Sequence, residues 1–312
     1  MEEPAGAESW DPGSVRGRGK LGIVMRLIRI EHTLFSLPFA YAGAILSGYP
    51  LSWREALLIF TAVLGLRSSA MAYNNIADLP IDRLNPRSSK RPLVTGALGI
   101  REAYLVVVAG SLLYYLSAAL LNKYALLYSP ILWLLAHTYP YAKRIHSYPH
   151  YHLGLVLGFT VFGGAVAVAG SQPGADNWMV LRSVPWIYLV AVTLWVAGFD
   201  IYYSVLDYDF DKSHGIGSVP AKHGKQRAML IGLATHLAAS ALLLAGVAMY
   251  WGTTGWFTLT MTLAAIAIML YGDVKCLRDE NYIPRAFNQN LAVGILISLG
   301  IILDYAVQAL AH

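Results

Sequence analysis

The chain has 312 residues, of which 56% are hydrophobic and only 13% charged, with a formal net charge of +5. Soluble domains carry about 25% charged residues, so this composition, with a mean hydropathy of +0.50, excludes a water-soluble globular domain and indicates a membrane protein. A single cysteine, Cys276, excludes a disulfide framework within the chain.

Residues 1–20 are polar and Gly-rich, first acidic and then basic, and read as a disordered tail; residues 21–312 read as one membrane domain. Leu21–Glu31 sets Arg26 and Arg29 among Ile, Val, Met and Leu, the pattern of an interfacial amphipathic helix. A cleaved signal peptide does not fit, because the apolar segment starts late and is too long for an h-region. Apolar segments then follow at 33–50, 55–80, 102–121, 124–142, 152–170, 185–206, 228–250, 254–272 and 288–310. Each is about the length of a membrane-crossing helix, and lipid cannot satisfy free backbone groups, so closed helices are required. The expected fold is an all-α, multi-pass bundle of nine transmembrane helices, the first and fourth being short.

Nineteen of the 23 basic residues fall on the N-terminal region and the even-numbered connections, against Arg54, Lys123 and Arg182 on the other side and Arg67 within a span. By the positive-inside rule the N-terminus and the basic loops are cytoplasmic and the C-terminus lies outside the cell membrane.

The second span carries Arg67, Asn74, Asp78 and Asp82, spaced so that all four share one helix face. Such a stripe costs several kcal/mol in hydrocarbon, so it should face a wet, ion-holding cavity. The sixth span ends likewise in Asp200, Tyr203, Asp207 and Asp211. A single Asp at a helix end reads as a solvated charge, and Asp209, off the ladder face, is read that way. Two carboxylate ladders, each closing an apolar helix and each followed by basic residues, suit two Mg²⁺ ions and a diphosphate, because Mg²⁺ favours carboxylates together with substrate phosphates. The two regions form a weak internal repeat, each running from Asp ladder through a basic loop to a glycine (Gly96, Gly224), and bring the ladders face to face.

Asn74-xxx-Asp78-xxx-Asp82-Arg83 followed by Arg91-Pro92-Leu93-Val94-Thr95-Gly96 resembles the first signature of the UbiA superfamily of intramembrane prenyltransferases. Tyr139-Pro-Tyr-Ala-Lys143-Arg144 and Asp200…Asp207-xxx-Asp211 resemble its middle and second signatures, and Arg29-Ile-Glu31-His-Thr-Leu-Phe35-Ser-Leu-Pro38 is similar to its opening. The order and coverage are most similar to 4-hydroxybenzoate polyprenyltransferases. The resemblance implies a helical bundle around a central cavity that opens laterally to lipid. It also implies Mg²⁺-dependent transfer of a prenyl group from a polyprenyl diphosphate to an aromatic acceptor, with the bilayer as partner and no nucleic acid.

In that scheme Asn74, Asp78, Asp82, Asp207 and Asp211 hold Mg²⁺, while Arg91, Lys143, Arg144 and Lys212 clamp phosphate oxygens. Arg67 either partners a buried carboxylate or grips the acceptor's carboxylate. Asp200 either orients the acceptor or takes its proton, or belongs to the metal shell. Tyr73, Tyr139, Tyr141 and Tyr203 are available to shield a cation, although interfacial anchoring is the commoner role of membrane tyrosines. His146, His150 and His152 read as a hydrated interfacial loop rather than a metal site. Asp273, Lys275, Arg278, Asp279 and Glu280 read as a charged cytoplasmic connection. Other acceptors are 1,4-dihydroxy-2-naphthoate, a haem vinyl group, a chlorophyllide and a glycerol-phosphate lipid precursor. A secondary transporter would place its charges near the midplane on broken helices, and a soluble terpene synthase would lack the apolar spans.

The charge asymmetry makes topology measurable. A reporter fused after His312 is expected outside the cytoplasm and one inserted near Ser88 inside it; reports from the same side would change the number of crossings by an odd number.

Overall fold

The computed structural model describes residues 19–28 and 30–311. The expected tail, apart from its last two residues, and the side chains of Arg29, Glu31, His32 and Phe35 in the opening motif lie outside the described residues. Among the described residues there is no strand, and the helices are α1 (Lys20–Leu27), α2 (Ile30–Leu46), α3 (Trp53–Asp82), α4 (Ile100–Leu121), α5 (Lys123–Ile145), α6 (Pro149–Ala169), α7 (Asn177–Arg182) and α8 (Trp186–Ser204). A 3-10 turn, Val205–Asp207, leads into α9 (Tyr208–His214), followed by α10 (Val219–His223), α11 (Lys225–Met249), α12 (Trp256–Arg278) and α13 (Ile283–Ala311).

Seven helical stretches are long and apolar enough to cross a membrane: α3, α4, α6, α8 with its continuation to His214, α11, α12, and α13 with the 3-10 turn before it. The first and fourth expected spans fall on α2 and α5, which do not meet that measure. The apolar part of α2 is confined to Ser36–Leu46, and α5 carries His137, Pro130, Pro140, Lys143 and Arg144. The chain is an integral membrane protein; nine crossings are not established. Helix α1 does not lie free on an interface. Leu27 is buried, and Ile23 and Val24 pack with it against Ala72, Leu93, Leu98 and Ala103.

The helices close on themselves. α3 packs on α4 and α5, α5 on α6, α6 on α2 and α8, α8 on α11, α11 on α12, and α12 on α13, which returns to α2 and α8. α6 and α8 form the centre, with 61% and 67% of their most apolar windows buried inside the protein. Lipid gives helices no hydrophobic reason to associate, so contact depends on small residues and polar links. Both occur here. A Cβ on Gly164 would land on the Ala40 carbonyl and one on Gly43 on the Val161 carbonyl, so the backbones of α2 and α6 touch.

The polar links are satisfied circuits. His137 Nδ1 donates to the Trp133 carbonyl (2.8 Å), which leaves Nε2 to accept from Ser69 (2.9 Å). Ser69 in turn bonds Ser111, and Ser111 accepts from Trp133 Nε1, tying α3, α4 and α5 together. On the other side Asp304 of α13 accepts from the Gly255 and Thr258 amides, both at 2.7 Å, and from the Thr258 hydroxyl at 2.6 Å. It therefore caps α12 from outside that helix. Asp273, expected in a charged connection, is instead buried in α12 against His236 of α11, whose Nε2 donates to the Trp195 carbonyl of α8. Sequence spacing does not reveal that pairing, because the partners lie on different helices.

The touching backbones of α2 and α6 make glycine there a steric requirement. Gly164→Val should cost about 1–3 kcal/mol of stability through overpacking, read as a lower thermal midpoint of the purified protein. Gly163→Ala, whose Cβ would meet only Leu132 Cδ2 at 3.4 Å, should be nearly neutral, and equal effects would refute the close-contact account.

Candidate active site

Helices α3, α5 and α8 end, and α6 begins, at the same pole of the bundle, where they surround a cavity of about 610 Å³. Apolar periodicity carries α3 and α8 across the bundle; their polar ends are what the cavity collects. On α3, Asn74, Asp78 and Asp82 line the wall at successive turns, and Pro80 lies between the carboxylates without ending the helix. The opposing ladder is not one continuous helix. α8 stops at Ser204, Asp207 sits on the 3-10 turn, and Asp211 on α9, yet Asp200, Tyr203, Asp207 and Asp211 all line the same cavity.

The turn after α9 fixes this second wall. Gly215 takes a left-handed φ of 65°, which only glycine adopts cheaply, and the chain folds back so that the Gly217 amide donates to the Lys143 carbonyl at 2.7 Å. A Cβ at Gly217 would strike the His146 carbonyl. The second ladder is thereby pinned to the end of α5, which carries Lys143.

Charge matching runs between elements. Lys143 Nζ reaches Asp78 Oδ2 at 2.7 Å, Arg91 pairs with Asp82, and Arg87 pairs with Asp207. Asn85 also donates to Asp207, at 3.2 Å, and the Arg87 guanidinium lies 4.9 Å over the Tyr203 ring. The charged lining is balanced: Asp78, Asp82, Asp200, Asp207 and Asp211 face Arg26, Arg87, Lys90, Arg91 and Lys143. Asp78 and Asp82 are buried, and leaving either unpaired at this depth would be strongly unfavourable.

The donor set fits a hard divalent cation. Asn74 Oδ1 and Asp78 Oδ1, one helical turn apart, are buried and accept no hydrogen bond. Both are oxygen donors of the type Mg²⁺ prefers. Among the described residues no three His, Cys, Asp or Glu side chains converge tightly enough to hold a metal alone. Each wall thus offers only a partial set of ligands.

Several expected residues fall elsewhere. Lys212 is exposed at the rim and bonds the Tyr208 hydroxyl at 3.0 Å, so it does not line the cavity. Arg144 donates to the Ala77 carbonyl and approaches Asp78 only to 3.8 Å; it braces α5 against α3 rather than lining the cavity. Arg67 lines a separate, apolar cavity of about 80 Å³ between α3, α4, α5 and α6. Tyr139 and Tyr203 line the main cavity, while the Tyr73 and Tyr141 hydroxyls bond each other at 2.8 Å. Asp209 is exposed, in line with its reading as a solvated charge.

The histidine loop is corrected. His150 is only 2% exposed, stands in the first turn of α6 and lines the cavity, with Nδ1 at 2.6 Å from Asp200 Oδ2. Arg26, Arg87 and His150 are cavity residues that spacing did not single out. The Ser88–Ser89 stretch separates Arg87 from the recognisable Lys90-Arg91-Pro92, and Arg26 belongs to a helix whose amphipathicity pointed to an interface.

Comparison with known proteins places these features. Residues 36–292 match the UbiA prenyltransferase family. The chain is 27% identical to the 4-hydroxybenzoate octaprenyltransferase of Francisella tularensis subsp. tularensis (strain WY96-3418) over 92% of its own length and 96% of that protein's. The apo structure of a UbiA homolog from Aeropyrum pernix K1 is 54% identical, with a TM-score of 0.84 over 88% of this chain and 98% of that one. A UbiA homolog from Archaeoglobus fulgidus bound to GPP and Mg²⁺ shares the fold at 19% identity, with a TM-score of 0.62 over 92% of this chain and 99% of that one.

Proposed function

The chain belongs to the UbiA prenyltransferase family, and on that premise we propose that it transfers a polyprenyl group from its diphosphate to 4-hydroxybenzoate, in quinone-type lipid biosynthesis. The observation that carries this reading is the single cavity lined by both carboxylate ladders and by Arg87, Arg91 and Lys143. A balanced lining of acids and bases suits neither a bare anion nor a bare cation. It suits a polyanion that arrives with divalent cations, the combination a diphosphate and Mg²⁺ provide.

Asn74, Asp78 and Asp82 on one wall, and Asp207 and Asp211 on the other, would hold two Mg²⁺ ions. Bound there, the ions supply Lewis-acid neutralisation of the diphosphate as the allylic C–O bond ionises. Arg87, Arg91 and Lys143, now paired with carboxylates, are placed to donate to phosphate oxygens, the arginines bidentately. Tyr139 and Tyr203 offer ring faces to the allylic cation. Arg67 would take the acceptor's carboxylate. It lies seven residues before Asn74 on α3, roughly 10 Å deeper at 1.5 Å per residue, in an apolar chamber suited to an aromatic ring. The similarity to a 4-hydroxybenzoate octaprenyltransferase over most of the chain supports that acceptor.

The site pole is assigned to the cytoplasmic side of the cell membrane, and the C-terminus to the outside, by the distribution of basic residues. Exposed Trp53, Trp178 and Trp256 at the opposite pole suit an aromatic belt at the other interface.

Two measurements test the scheme. Purified protein given Mg²⁺, a labelled polyprenyl diphosphate and a panel of acceptors should prenylate 4-hydroxybenzoate. Chelation, Asp78→Ala or Asp207→Ala should abolish turnover, while Asp209→Ala should remain close to wild type; full activity in EDTA would remove the two-metal scheme. In the second, Arg67→Ala should raise the acceptor KM by about tenfold for each 1.4 kcal/mol lost, with the prenyl diphosphate KM nearly unchanged. Arg67→Lys should recover only part of this. The reverse pattern would place Arg67 with the phosphates.

A further inference from the structure

A buried histidine–aspartate pair stands behind the cavity wall rather than in it. His236 of α11 and Asp273 of α12 have side chains 0% and 4% exposed, on helices that are both long and apolar enough to cross a membrane. Ionisable side chains within such segments are costly and mark functional positions. His236 Nε2 lies 3.1 Å from the Trp195 carbonyl of α8, and a carbonyl only accepts, so Nε2 carries a proton. Nδ1 lies 3.0 Å and 2.8 Å from the two Asp273 oxygens. One acid proton could bridge only one of those oxygens, whereas an Nδ1–H is shared by both oxygens of a carboxylate. The ring therefore carries both protons, and the pair is an imidazolium and a carboxylate with no net charge.

The pair grips α8 at a defined place. Gly198 faces the ring, because a Cβ there would meet His236 Cδ2 and Nε2. One turn on, the Tyr202 ring stacks on the imidazole with centroids 6.0 Å apart. Gly232, one turn before His236 on α11, leaves room for it, since a Cβ there would strike Tyr202 Cε2. Trp195, Gly198 and Tyr202 thus form a stripe at helical spacing. At 3.6 residues per turn, Asp200 and Tyr203 lie roughly a quarter to a half turn around the same helix, where they line the main cavity. α8 ends at Ser204, so the grip falls on its last turns before the break that leads to Asp207 and Asp211. α8 cannot rotate or slide without breaking the bond to the Trp195 carbonyl, and the donor cannot follow, because Asp273 holds it from α12.

We propose that His236 is a membrane-buried imidazolium and, with Asp273 as its counter-ion, a positioning residue for the reaction: it fixes the rotation of the cavity end of α8 and so the carboxylate wall opposite α3. The positioning role rests on the prenyl-transfer reading above. Apolar residues of similar volume often stabilise a fold as well as a buried ion pair does. What this pair supplies is one arrangement of three helices, with the wall of the site on the outer face of one of them.

The imidazolium is tested by nitrogen-15 spectra of histidine-labelled, full-length protein in lipid nanodiscs, His236 being the signal lost in His236→Gln. Two protonated ring nitrogens are expected; one protonated and one bare nitrogen would overturn the proposal. Positioning is tested by turnover with Mg²⁺, a labelled polyprenyl diphosphate and the acceptor panel, well below the unfolding midpoint of every variant. His236→Gln, Asp273→Ala and Gly198→Ala, which displaces the ring without altering either charge, should each lower kcat on the order of 10²-fold, the loss expected from a misplacement near 1 Å. The Mg²⁺ half-saturation should rise with them. Asp273→Asn should recover most of the rate lost in Asp273→Ala, because its amide can donate to Nδ1 once the ring gives up one proton. A merely structural pair would lower the unfolding midpoints and leave kcat and the Mg²⁺ half-saturation of the folded protein at wild-type values, which would overturn the positioning role. If His236→Gln does not fold, Gly198→Ala carries the kinetic comparison and its displaced imidazole signal gives the assignment. Wild type that prenylates no acceptor would overturn the prenyl-transfer reading and the positioning role with it, while the spectrum would still decide the imidazolium.

Discussion

An ionised group carried toward hydrocarbon must have its charge compensated, and in the ion pairs of this cavity the counter-charge comes from another segment. Lys143 of α5 answers Asp78 of α3, Arg91 in the α3–α4 connection answers Asp82, and Arg87 in that connection answers Asp207 beyond α8. The polar pole is therefore assembled by tertiary contact rather than by any one helix. Its geometry depends on the apolar body below, where α2, α6 and α8 touch along glycines and cannot slide. Rigidity in the body and exact charge matching at the pole are two sides of one requirement.

The same pairing neutralises much of the charge in the cavity lining. Arg87, Arg91 and Lys143 are each held at a carboxylate, Asp207, Asp82 and Asp78 respectively. A polyanion accompanied by divalent cations offers both partners a replacement at once, so ion pairs are exchanged rather than broken. A ligand bringing only one sign of charge would leave one set of groups uncompensated at low dielectric, where that is most unfavourable. Under the proposed function, the lining itself would select for the combined ligand.

Much of this was legible in the sequence because the ladders obey helical spacing. Asn74, Asp78 and Asp82 do line one wall, and the basic loop after them does return to the cavity. The residues of the second ladder line the same cavity although their helix breaks at Ser204; a 3-10 turn displaces the chain too little to send Asp207 or Asp211 elsewhere. What spacing could not supply was pairing between distant segments. His150 and Asp200 are 50 residues apart, and His236 and Asp273 are 37 apart. Each histidine and each aspartate looks like a solvated charge until its partner is known. Arg67 lies on α3 with those residues, but its separation into an apolar chamber depends on Tyr114, Leu132 and Phe162 from other helices.

The cap that Asp304 places on α12 bears on biogenesis. The first amides of α12 find their acceptor on α13, at 46 to 49 residues' distance along the chain. Until α13 has entered the bilayer those donors are unsatisfied, and a lone α13 would carry a carboxylate with nothing to receive it. α12 and α13 are consequently coupled, each satisfying polar groups of the other.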